Sequence, residues 1–393
     1  MRVAAQLSPA AVELTVLMPC LDEAKTVATC VRKAIEACQA AGVDAEVLVA
    51  DNGSRDGSPD LARTAGARVI HVEEKGYGAA LRAGIEAARG RYVVMGDADD
   101  SYEFQDVPRF LSRLRAGDDL VMGSRFRGVI HPGAMPFLHR FLGNPVLTWI
   151  LNLFFGAGIS DAHCGMRGFS REAILSLSLR SPGMEFASEM VIRAAQEKLR
   201  IGEVPTSLRP DGRGRRPHLR TWRDGWRHLR FMLLFSPWWL FAVPGLCALV
   251  LGLALIAAVA FTEIRILGHQ LHTHFALLGS ALAILGTQIL MLGIFAKALF
   301  VLEGIGSDPA IERLITEFRL EVTLALAIVT IGLGMAMDGY VLAVWVGSGG
   351  GSLEGHHTHL AVVGGTLLAV GVEVIFSAFF LSILRSSRTG QWT

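Results

Sequence analysis

The chain has 393 residues and a formal charge of +1, so it can hold two structural units and lacks the charge typical of nucleic-acid-binding proteins. Hydrophobic residues make up 51% of the chain and charged residues 19%, which suggests that one of the two units lies in lipid. Most charged residues precede Phe241, and long apolar runs follow it. We therefore predict a soluble first half and a second half embedded in lipid.

The cysteines and the first residues indicate the compartment. The five cysteines are odd in number and contain no CxxC pair, which argues against a disulfide framework and a zinc knuckle. Glu13 interrupts the only apolar stretch near the start, and no cleavage pattern follows, so we predict no signal peptide. The first half is therefore expected to stay in the cytosol.

From Leu14 onwards, short apolar runs alternate with helical segments. The runs are LTVLMP, AEVLVAD, RVIHVE, YVVMGDAD and DLVMGSR. Between the first two, apolar residues recur at Val27, Val31, Ala34 and Cys38, a spacing that predicts an amphipathic helix. Apolar strands that alternate with helices predict an α/β fold with a mostly parallel, doubly wound sheet covered on both faces.

Carboxylates follow two of these runs. Asp51 ends the second, and Asp97 and Asp99 end the fourth. Ligands of such sheets bind beyond the carboxyl ends of the strands, so we expect the three acids in one crevice. A single Asp there would more simply be a solvated turn residue, but the turn DNGSRDGS and the glycine-rich KGYGAALRAG occur in the same half. Together they suit a nucleotide diphosphate held through Mg²⁺ or Mn²⁺, because paired carboxylates bind these ions and the ion neutralises phosphate charge.

A longer series of motifs supports this interpretation. The motifs, in chain order, are VLMPCLDE, DNGSRDGS, KGYGAALRAG, GDADD, GSRF, SDAHCGMRGFSRE, MEFASEM and LRPDGRGRRPHLRTWRDGWRHL. Over roughly residues 1–235, the chain resembles the inverting family-2 glycosyltransferases. It is most similar to the polyprenyl-phosphate sugar synthases related to dolichol-phosphate mannose and glucose synthases. The resemblance implies a nucleotide-sugar-binding domain of the GT-A type.

The resemblance also implies roles for matched residues. Those expected to bind the nucleotide sugar are Pro19, Asp22, Glu23, Asp51, Lys75, Asp97, Arg213 and Arg215. The expected ligands of Mg²⁺ or Mn²⁺ are Asp97, Asp99 and Ser101. The residues expected to face the acceptor phosphate are Arg125, Arg140 and Asn144. Catalytic roles are expected for Asp99, Arg125 and Asp161.

A polyprenyl phosphate acceptor makes a strong general base dispensable. Its second pKa is about 6, so most of it is already dianionic near neutral pH. Asp161 is therefore expected either to orient a substrate or to act as a base, while arginines and the metal ion stabilise the departing diphosphate. His163 and Cys164 are adjacent, which is poor geometry for one ion, so packing is the preferred interpretation.

Arginine is concentrated between residues 209 and 230. The first arginines of this segment would also suit contacts with nucleic acid. The low net charge and the membrane half disfavour that interpretation, so we predict no nucleic-acid partner. Trp222, Trp226 and Leu229 share a helical stripe beside arginines, which predicts a helix in the headgroup layer over 221–238. An ordinary packed surface helix is the alternative.

Four apolar stretches follow, at 239–262, 275–299, 322–346 and 360–384. Each is long enough, at about 1.5 Å per residue, to cross a hydrocarbon core of about 30 Å. Basic residues are more frequent in the loop 300–321 and the tail than in the other two loops, so both termini are predicted in the cytoplasm. We expect an integral multi-pass membrane protein whose cytosolic domain spans 1–220 and whose four-helix domain spans 239–393.

The second and fourth stretches are similar to each other. HTHFALLGSALAILG from His272 aligns with HTHLAVVGGTLLAVG from His357, which suggests two repeated hairpins. The alignment pairs Gln288 with Glu373, and because an ionisable side chain is costly in mid-bilayer, Glu373 is expected to contact Gln288 or Asp338. The histidines of the loops are interpreted as solvated rather than metal-binding.

The sequence as a whole predicts a metal-dependent hexosyltransferase that moves a hexose from a UDP- or GDP-linked sugar to polyprenyl phosphate, with inversion, at the cytosolic membrane face. The alternatives are transfer to a glycolipid or polysaccharide, and a transport or scaffold protein with an idle transferase domain. The lack of a QxxRW-type motif disfavours a processive synthase, and the intact Asp97, Asp99, Arg125 and Arg140 disfavour an idle domain. The expected partners are the nucleotide sugar, the lipid phosphate and the bilayer, with a homo-oligomer left open.

Overall fold

The structure is a computed structural model that describes residues 12–212, 221–261, 265–266, 269–270, 273–304, 308–353 and 355–389. The predicted binding residues Arg213 and Arg215 lie outside these ranges. The chain divides into two units, Met1–Met232 and Leu233–Thr393. The first contains the main sheet, and the second contains the long apolar helices.

A seven-stranded mixed sheet lies at the centre of the first unit. Its strands are β1 Leu14–Cys20, β2 Ala45–Asp51, β3 Arg68–His71, β4 Tyr92–Met95, β5 Leu120–Ser124, β6 Arg167–Ser170 and β7 Ile201–Pro205. In the order β3-β2-β1-β4-β6-β5-β7, the first four strands run parallel, and β6 is antiparallel to both β4 and β5. The predicted α/β fold is confirmed. The reversal comes from β6, whose sequence RGFS contains no apolar run that would predict a strand.

Helices follow or alternate with these strands along the chain. They are α1 Val27–Ala40, α2 Ser58–Thr64, α3 Tyr77–Ala87, α4 Val107–Arg115, α5 Asn144–Phe155, α6 Arg171–Ser176, α7 Phe186–Gln196 and α8 Thr221–Leu234. Helix α1 contacts α2 and α4, whereas α3 contacts α6 and α7. The amphipathic helix predicted between the first two strands is α1, and it buries Val27 and Val31 in one cluster with Val16 and Val94 of the sheet. Apolar side chains at helical spacing thus fix which face of α1 meets the strands.

The parallel strands β1, β2 and β4 end at one edge of the sheet. Cys20 at the end of β1 pairs with Asp51 at the end of β2. After β4, the Gly96 N–H still donates to the Leu17 carbonyl, and the chain then turns through Asp97–Asp100. The acids that follow two separate strands are therefore carried by neighbouring loops.

Four helices of the second unit, within the part that the structure describes, are long and apolar enough to cross a bilayer. The elements are a π-helical turn at Trp238–Ala242, α9 Val243–Phe261, strands β8 Arg265–Ile266 and β9 His269–Gln270, α10 Thr273–Leu302, α11 Pro309–Glu317, α12 Leu320–Gly347 and α13 Gly355–Thr389. The predicted four apolar spans are confirmed, and the helices extend a few residues beyond most of the predicted limits.

Glycines allow close packing within two helix pairs. Helix α9 lies along α10, and α12 lies along α13. A Cβ atom on Gly252 would lie 2.6 Å from the Gly279 carbonyl oxygen, and one on Gly334 would lie 2.7 Å from the Gly364 carbonyl oxygen. Such distances are too short for any side chain, so glycine is what lets these backbones approach.

Candidate functional site

Asp51 organises the loop after β2. Its carboxylate is buried, accepts hydrogen bonds from the backbone N–H groups of Gly53 (3.2 Å) and Ser54 (3.1 Å), and lies 3.2 Å from His71 Nδ1. Burial acts to raise the pKa of Asp51, but hydrogen bonds from Ser54, His71 and Gly53 outweigh it and lower that pKa below its usual value. Asp51 is therefore a fixed anion at the end of β2, suited to accept hydrogen bonds from a ligand.

The segment after β1 is tied to this loop. Asp22 has a left-handed backbone, with φ 58°, and its carboxylate accepts a 2.8 Å hydrogen bond from the Arg55 N–H. The N–H groups of Asp22 and Glu23 donate to the hydroxyls of Ser54 (2.9 Å) and Ser58 (2.8 Å). The structure thus brings four predicted nucleotide-sugar residues to one corner, and they are Pro19, Asp22, Glu23 and Asp51.

Lys75 reaches the same loop from the other side. Its ammonium donates to the Asn52 carbonyl at 2.9 Å, and the Asn52 side-chain oxygen accepts from the Gly76 N–H at 2.8 Å. A Cβ atom on Gly53 would lie 2.2 Å from Lys75 Nζ, and Gly53 also has a φ of +92°. Only glycine suits both conditions, so Gly53 is what admits the lysine to this corner.

Asp97 is held by groups that the sequence analysis missed. Tyr77 donates its hydroxyl to Asp97 Oδ1 at 3.2 Å, and burial raises the pKa of Tyr77 well above its usual value, so it remains a donor. Tyr102 accepts a 2.8 Å hydrogen bond from the Gly165 N–H. A Cβ atom on Gly165 would lie 2.5 Å from Asp97 Oδ2, so this glycine leaves room beside the carboxylate. The position of Tyr77 inside the KGYG motif was the sequence feature that could have indicated this contact.

Asp99 and Ser101 form the other part of this loop. Both are buried, and Asp99 Oδ1 accepts from the Ser101 hydroxyl at 2.6 Å and from its N–H at 3.1 Å. Asp100, between them, has a left-handed φ of 62° and instead pairs with Lys33 at 2.7 Å. The Gly212 N–H donates to the Asp99 carbonyl at 2.9 Å. The two neighbouring acids are therefore directed to different partners.

The oxygen donors of this loop fit a hard divalent cation. Asp97 and Asp99 offer carboxylate oxygens, which Mg²⁺ and Mn²⁺ prefer. The Ser101 hydroxyl already donates to Asp99, so it orients a carboxylate ligand. Because residue 165 is a glycine, no side chain fills the space beside Asp97 and excludes an ion from it. In the described ranges no three His, Cys, Asp or Glu side chains cluster as metal ligands, so a site here would have two carboxylates.

Arg125 and Asp161 form a buried bidentate ion pair after β5. Arg125 Nε and Nη2 lie 2.7 and 2.8 Å from the two carboxylate oxygens, and the Arg125 N–H donates at 3.1 Å. Burial acts to lower the pKa of Arg125, but the hydrogen bond and the charge of Asp161 outweigh it and raise that pKa above its usual value. Both oxygens of Asp161 are engaged by Arg125, which makes Asp161 an orienting group.

The loop after Asp161 rests on a fully buried arginine that the sequence analysis passed over. The Arg167 guanidinium donates to the carbonyls of Cys164 and Ala162, both at 3.0 Å, and to that of Ala187 in α7. Three carbonyls around one guanidinium fix the backbone of this loop. The position of Asp161 therefore depends on Arg167, whose only sequence signal was membership of the CGMRGF motif.

His163 lies in that loop with both ring nitrogens enclosed and without a hydrogen-bond partner. Its ring makes an edge contact with His228 of α8, with 4.7 Å between ring centroids. His228 Nδ1 lies 2.9 Å from the Ser188 hydroxyl of α7. Burial, followed by the charges of His228 and Arg125, lowers the pKa of His163 well below its usual value. The imidazole is therefore neutral at pH 7.

The other two acceptor-phosphate candidates lie on a separate segment. Arg140 is exposed in a π-helical turn, His139–Gly143, and its guanidinium lies 5.4 Å from the centre of the Phe141 ring. Asn144 begins α5, and its amide lies 3.6 Å from Met135 Sδ. The structure thus brings Arg125 to Asp161, whereas Arg140 lies against Phe141 and Asn144 against Met135.

Helix α5 and the π-helical turn before it expose a continuous apolar stripe. Four large side chains recur three or four residues apart and are 42–62% exposed, and they are Leu142, Val146, Trp149 and Leu153. The opposite side, with Thr148 and Leu151, is buried. Helix α8 similarly exposes Trp222 and Trp226 while burying Met232. A row of large exposed apolar side chains is typical of an interaction site.

The GT-A-like sheet, the acid-lined edge and the apolar helices define a glycosyltransferase with a membrane region. Residues 15–177 match the glycosyl transferase family 2, and residues 294–385 match the glycosyltransferase family 2 C-terminal transmembrane region. The chain belongs to glycosyltransferase family 2, as its motifs predicted, and it is a membrane glycosyltransferase.

Two relatives in Haloferax volcanii match different shares of this chain. The low-salt glycan biosynthesis hexosyltransferase Agl6 is 38% identical over 94% of this chain and 89% of that protein. The dolichyl-phosphate hexose transferase is 37% identical over 42% of this chain and 70% of that protein. Among solved structures, glucosyl-3-phosphoglycerate synthase from Mycobacterium tuberculosis matches with a TM-score of 0.44 and 23% identity, over 57% of this chain and 80% of that one.

Proposed function

We propose that this protein transfers a hexose from a UDP- or GDP-linked sugar to a polyprenyl phosphate, with inversion at the anomeric carbon, at the cytosolic face of the membrane. The resemblance to a dolichyl-phosphate hexose transferase supports the acceptor class. The observation that carries the lipid acceptor is the exposed apolar stripe of α5, which follows Arg140 directly.

The nucleotide sugar is assigned to the edge where β1, β2 and β4 end. Asp51 and Asp22 have fixed carboxylates that accept hydrogen bonds, which suits the base and ribose of a nucleotide. Lys75 adds a positive charge to this corner. Arg213 and Arg215 follow Gly212, which is bonded to Asp99, and they are assigned to the diphosphate.

Asp97 and Asp99 are the residues that would hold Mg²⁺ or Mn²⁺. When bound, such an ion supplies positive charge that neutralises the departing diphosphate. Tyr77 and Ser101 orient the two carboxylates through hydrogen bonds of 3.2 and 2.6 Å. Gly165 prevents any side chain from filling the space beside Asp97.

Arg125 is assigned to the acceptor phosphate. Asp161 engages its Nε and Nη2, which leaves Nη1 to donate to a phosphate oxygen. One acceptor oxygen forms the new bond to the anomeric carbon as the bond from that carbon to the nucleotide diphosphate breaks, and the electron pair leaves with the diphosphate. The acceptor is already largely dianionic, so no residue needs to remove a proton, and Asp161 serves to orient Arg125.

The donor site is tested by lipid product formation with purified full-length protein. The assay supplies UDP- and GDP-hexoses, Mg²⁺ or Mn²⁺, and undecaprenyl or dolichyl phosphate, and detects the product by mass and anomeric configuration. Asp99→Asn is expected to lose at least 100-fold in kcat/KM, because a metal carboxylate is removed. Asp100→Asn is the matched control, since Asp100 faces Lys33 and asparagine tolerates its left-handed backbone. Donor hydrolysis without a lipid product would refute the proposed acceptor.

The lipid acceptor is tested through the apolar stripe. Trp149→Ser with Leu153→Ser is expected to raise KM for a long-chain polyprenyl phosphate in vesicles about tenfold or more, because each removes apolar area from the surface that meets lipid. Transfer to citronellyl phosphate in solution should be unchanged. Leu61→Ser, at an exposed leucine of α2, is the control for a general surface effect. Equal loss with both acceptors would refute the role of α5.

A further inference from the structure

Helix α5 carries two polar side chains on a different side from its apolar stripe. Thr148 is buried and Asn152 is partly buried, and both hydrogen-bond to the loop that contains Asp161. They are four residues apart, so they lie on the same side of the helix. The helix that exposes Trp149 and Leu153 therefore also contacts the loop behind it.

Asn152 fastens the chain where it returns from α5. Its side-chain nitrogen donates to the Ile159 carbonyl at 2.7 Å, and its Oδ1 accepts from the Ile159 N–H at 3.1 Å. Between the helix and Ile159 the chain turns through Gly156 and Gly158, each with a φ of +67°, which favours glycine. One side-chain amide thus satisfies both backbone groups of Ile159 and ties the start of the loop to the last turn of α5.

Thr148 holds the same loop on the other side of Asp161. Its Oγ1 accepts from the Ala162 N–H at 3.2 Å, and both residues are buried. A buried backbone N–H without a partner is costly, so the hydroxyl stabilises this conformation of the loop. Asn152 and Thr148 therefore bind the loop before and after Asp161.

The sheet supplies a third attachment. The N–H and hydroxyl of Ser160 lie 2.6 and 2.8 Å from Glu203 Oε1 on β7. Asp161 comes next and engages Arg125 through both carboxylate oxygens. A loop that is held by both a helix and the sheet keeps the Arg125 guanidinium at a fixed position relative to α5.

We propose that Thr148 and Asn152 are positioning residues, which hold Asp161 and through it place Arg125 at a set distance from the apolar stripe. The role assigned to them rests on the proposed function. The phosphate of a polyprenyl phosphate is bonded to its chain, so it can lie only a limited distance from the point where the chain enters the bilayer. The arginine that binds the phosphate must match that distance, and a misplacement of about 1 Å can cost on the order of 100-fold in rate.

This placement is tested by comparing two acceptors with purified full-length protein. Thr148→Val combined with Asn152→Leu removes the three hydrogen bonds to the loop and keeps side chains of similar shape. We expect kcat/KM to fall about tenfold or more with undecaprenyl phosphate in vesicles, but about threefold or less with citronellyl phosphate in solution. The reason is that a soluble acceptor can follow a displaced Arg125, whereas a membrane-embedded one cannot.

The failure of this proposal differs from the failure of the proposed function. Equal loss with the two acceptors would overturn the positioning role and leave the proposed transfer standing. A wild-type protein that glycosylates neither acceptor would refute the proposed function and, with it, the positioning role.

A conservative variant separates the hydrogen bond from general packing. Thr148→Ser keeps the hydroxyl and should retain about half or more of the kcat/KM with undecaprenyl phosphate, whereas Thr148→Val alone should lose most of it. Thr64→Val is the matched control, because the Thr64 hydroxyl donates within α2 at 2.9 Å. Equal loss in Thr148→Ser and Thr148→Val, or the same loss in Thr64→Val, would overturn the role of the Thr148 hydroxyl.

Hydrogen exchange gives a measurement that does not depend on catalysis. The N–H groups of Ile159 and Ala162 should exchange about fivefold or more faster in the double variant than in the wild type, because their acceptors are removed. The Gly96 N–H, which donates to the Leu17 carbonyl, should be unchanged. Equal exchange of Ile159 and Ala162 in the two proteins would overturn the proposal.

Discussion

The Arg125–Asp161 pair is a buried contact whose arginine we propose also binds the acceptor phosphate. Asp161 is fully buried, and its two oxygens hold the guanidinium in a fixed orientation. Such a pair contributes little over an apolar replacement, but breaking it leaves one charge buried without a partner. The two functions can therefore be separated by substitutions.

Asp161→Asn is expected to destabilise the protein by about 3–5 kcal/mol, because Arg125 stays charged in a buried position. Arg125→Met combined with Asp161→Leu should recover most of this stability and remain inactive. The measurement is thermal unfolding of the purified full chain in detergent, alongside the lipid-product assay. If the Asp161→Asn protein unfolded at the wild-type temperature, the result would contradict a buried ion pair between Arg125 and Asp161.

His163 gives a pH dependence with a definite sign. Its folded-state pKa is lowered below the ordinary value of 6.5, so below pH 6.5 the unfolded chain binds a proton that the folded chain does not. The contribution of His163 to the free energy of unfolding is therefore fully present above pH 6.5. It is lost as pH falls towards the folded-state pKa, by up to about 1.4 kcal/mol per pH unit.

His163→Phe keeps a ring against His228 and removes this titration. We expect thermal unfolding of the variant to depend less on pH between 6.5 and 5 than that of the wild type. Removal of two unpartnered ring nitrogens should also leave stability at pH 7.5 unchanged or higher. Identical pH dependence in the two proteins would show that His163 is not buried in its neutral form.

At the scale of the elements, the two helix pairs of the second unit use glycine in the same way. The Gly252–Gly279 approach in the first pair corresponds to the Gly334–Gly364 approach in the second. Because Gly279 and Gly364 are aligned in the repeated stretches, we propose that α9–α10 and α12–α13 are repeated hairpins. Their stability then depends on a few positions along otherwise uniform apolar helices.

Helix α12 contains a matched pair of glycines for testing this. Gly334→Ala is expected to destabilise the protein by about 1–3 kcal/mol, since its Cβ would lie 2.7 Å from the Gly364 carbonyl oxygen. Gly332→Ala on the same helix meets no atom within 4 Å and should be neutral or slightly stabilising. Thermal unfolding in one detergent compares the two. Equal effects would mean that general helix propensity, not close approach, determines the result.

Some elements could be predicted because their pattern of apolar residues is regular or continuous. Helix α1 and the apolar spans repeat over many residues, and strands β1 to β5 coincide with the apolar runs. Strand β6, with four residues, and β7 lack such a signal, so the order and direction at that end of the sheet could not be predicted. Helix α5 was missed as a surface element because its apolar residues give no indication of which side is exposed.

At the scale of the whole molecule, the uneven distribution of basic residues among the loops predicts how the membrane region is oriented. We propose that both termini are cytoplasmic, because the loop 300–321 and the tail hold more basic residues than the other loops. In the Cys247→Ser background, Thr389→Cys should react with an impermeant maleimide only from the cytoplasmic side. Gly351→Cys should react only from the opposite side. Reversed labelling of the two positions would contradict the topology.

The sequence by itself determined the family, the α/β unit and the four apolar helices, because these depend on local periodicity and on motifs whose order is read along the chain. Only the tertiary structure decided which partner each acid takes. Asp99 accepts from Ser101, two residues away, whereas Asp100 pairs with Lys33 and Asp161 is engaged by Arg125 across distances in sequence that no spacing reveals. The reason is physical: hydrogen bonds and burial depend on which strands and loops meet at the edge of the sheet, and that is set by packing over the whole unit.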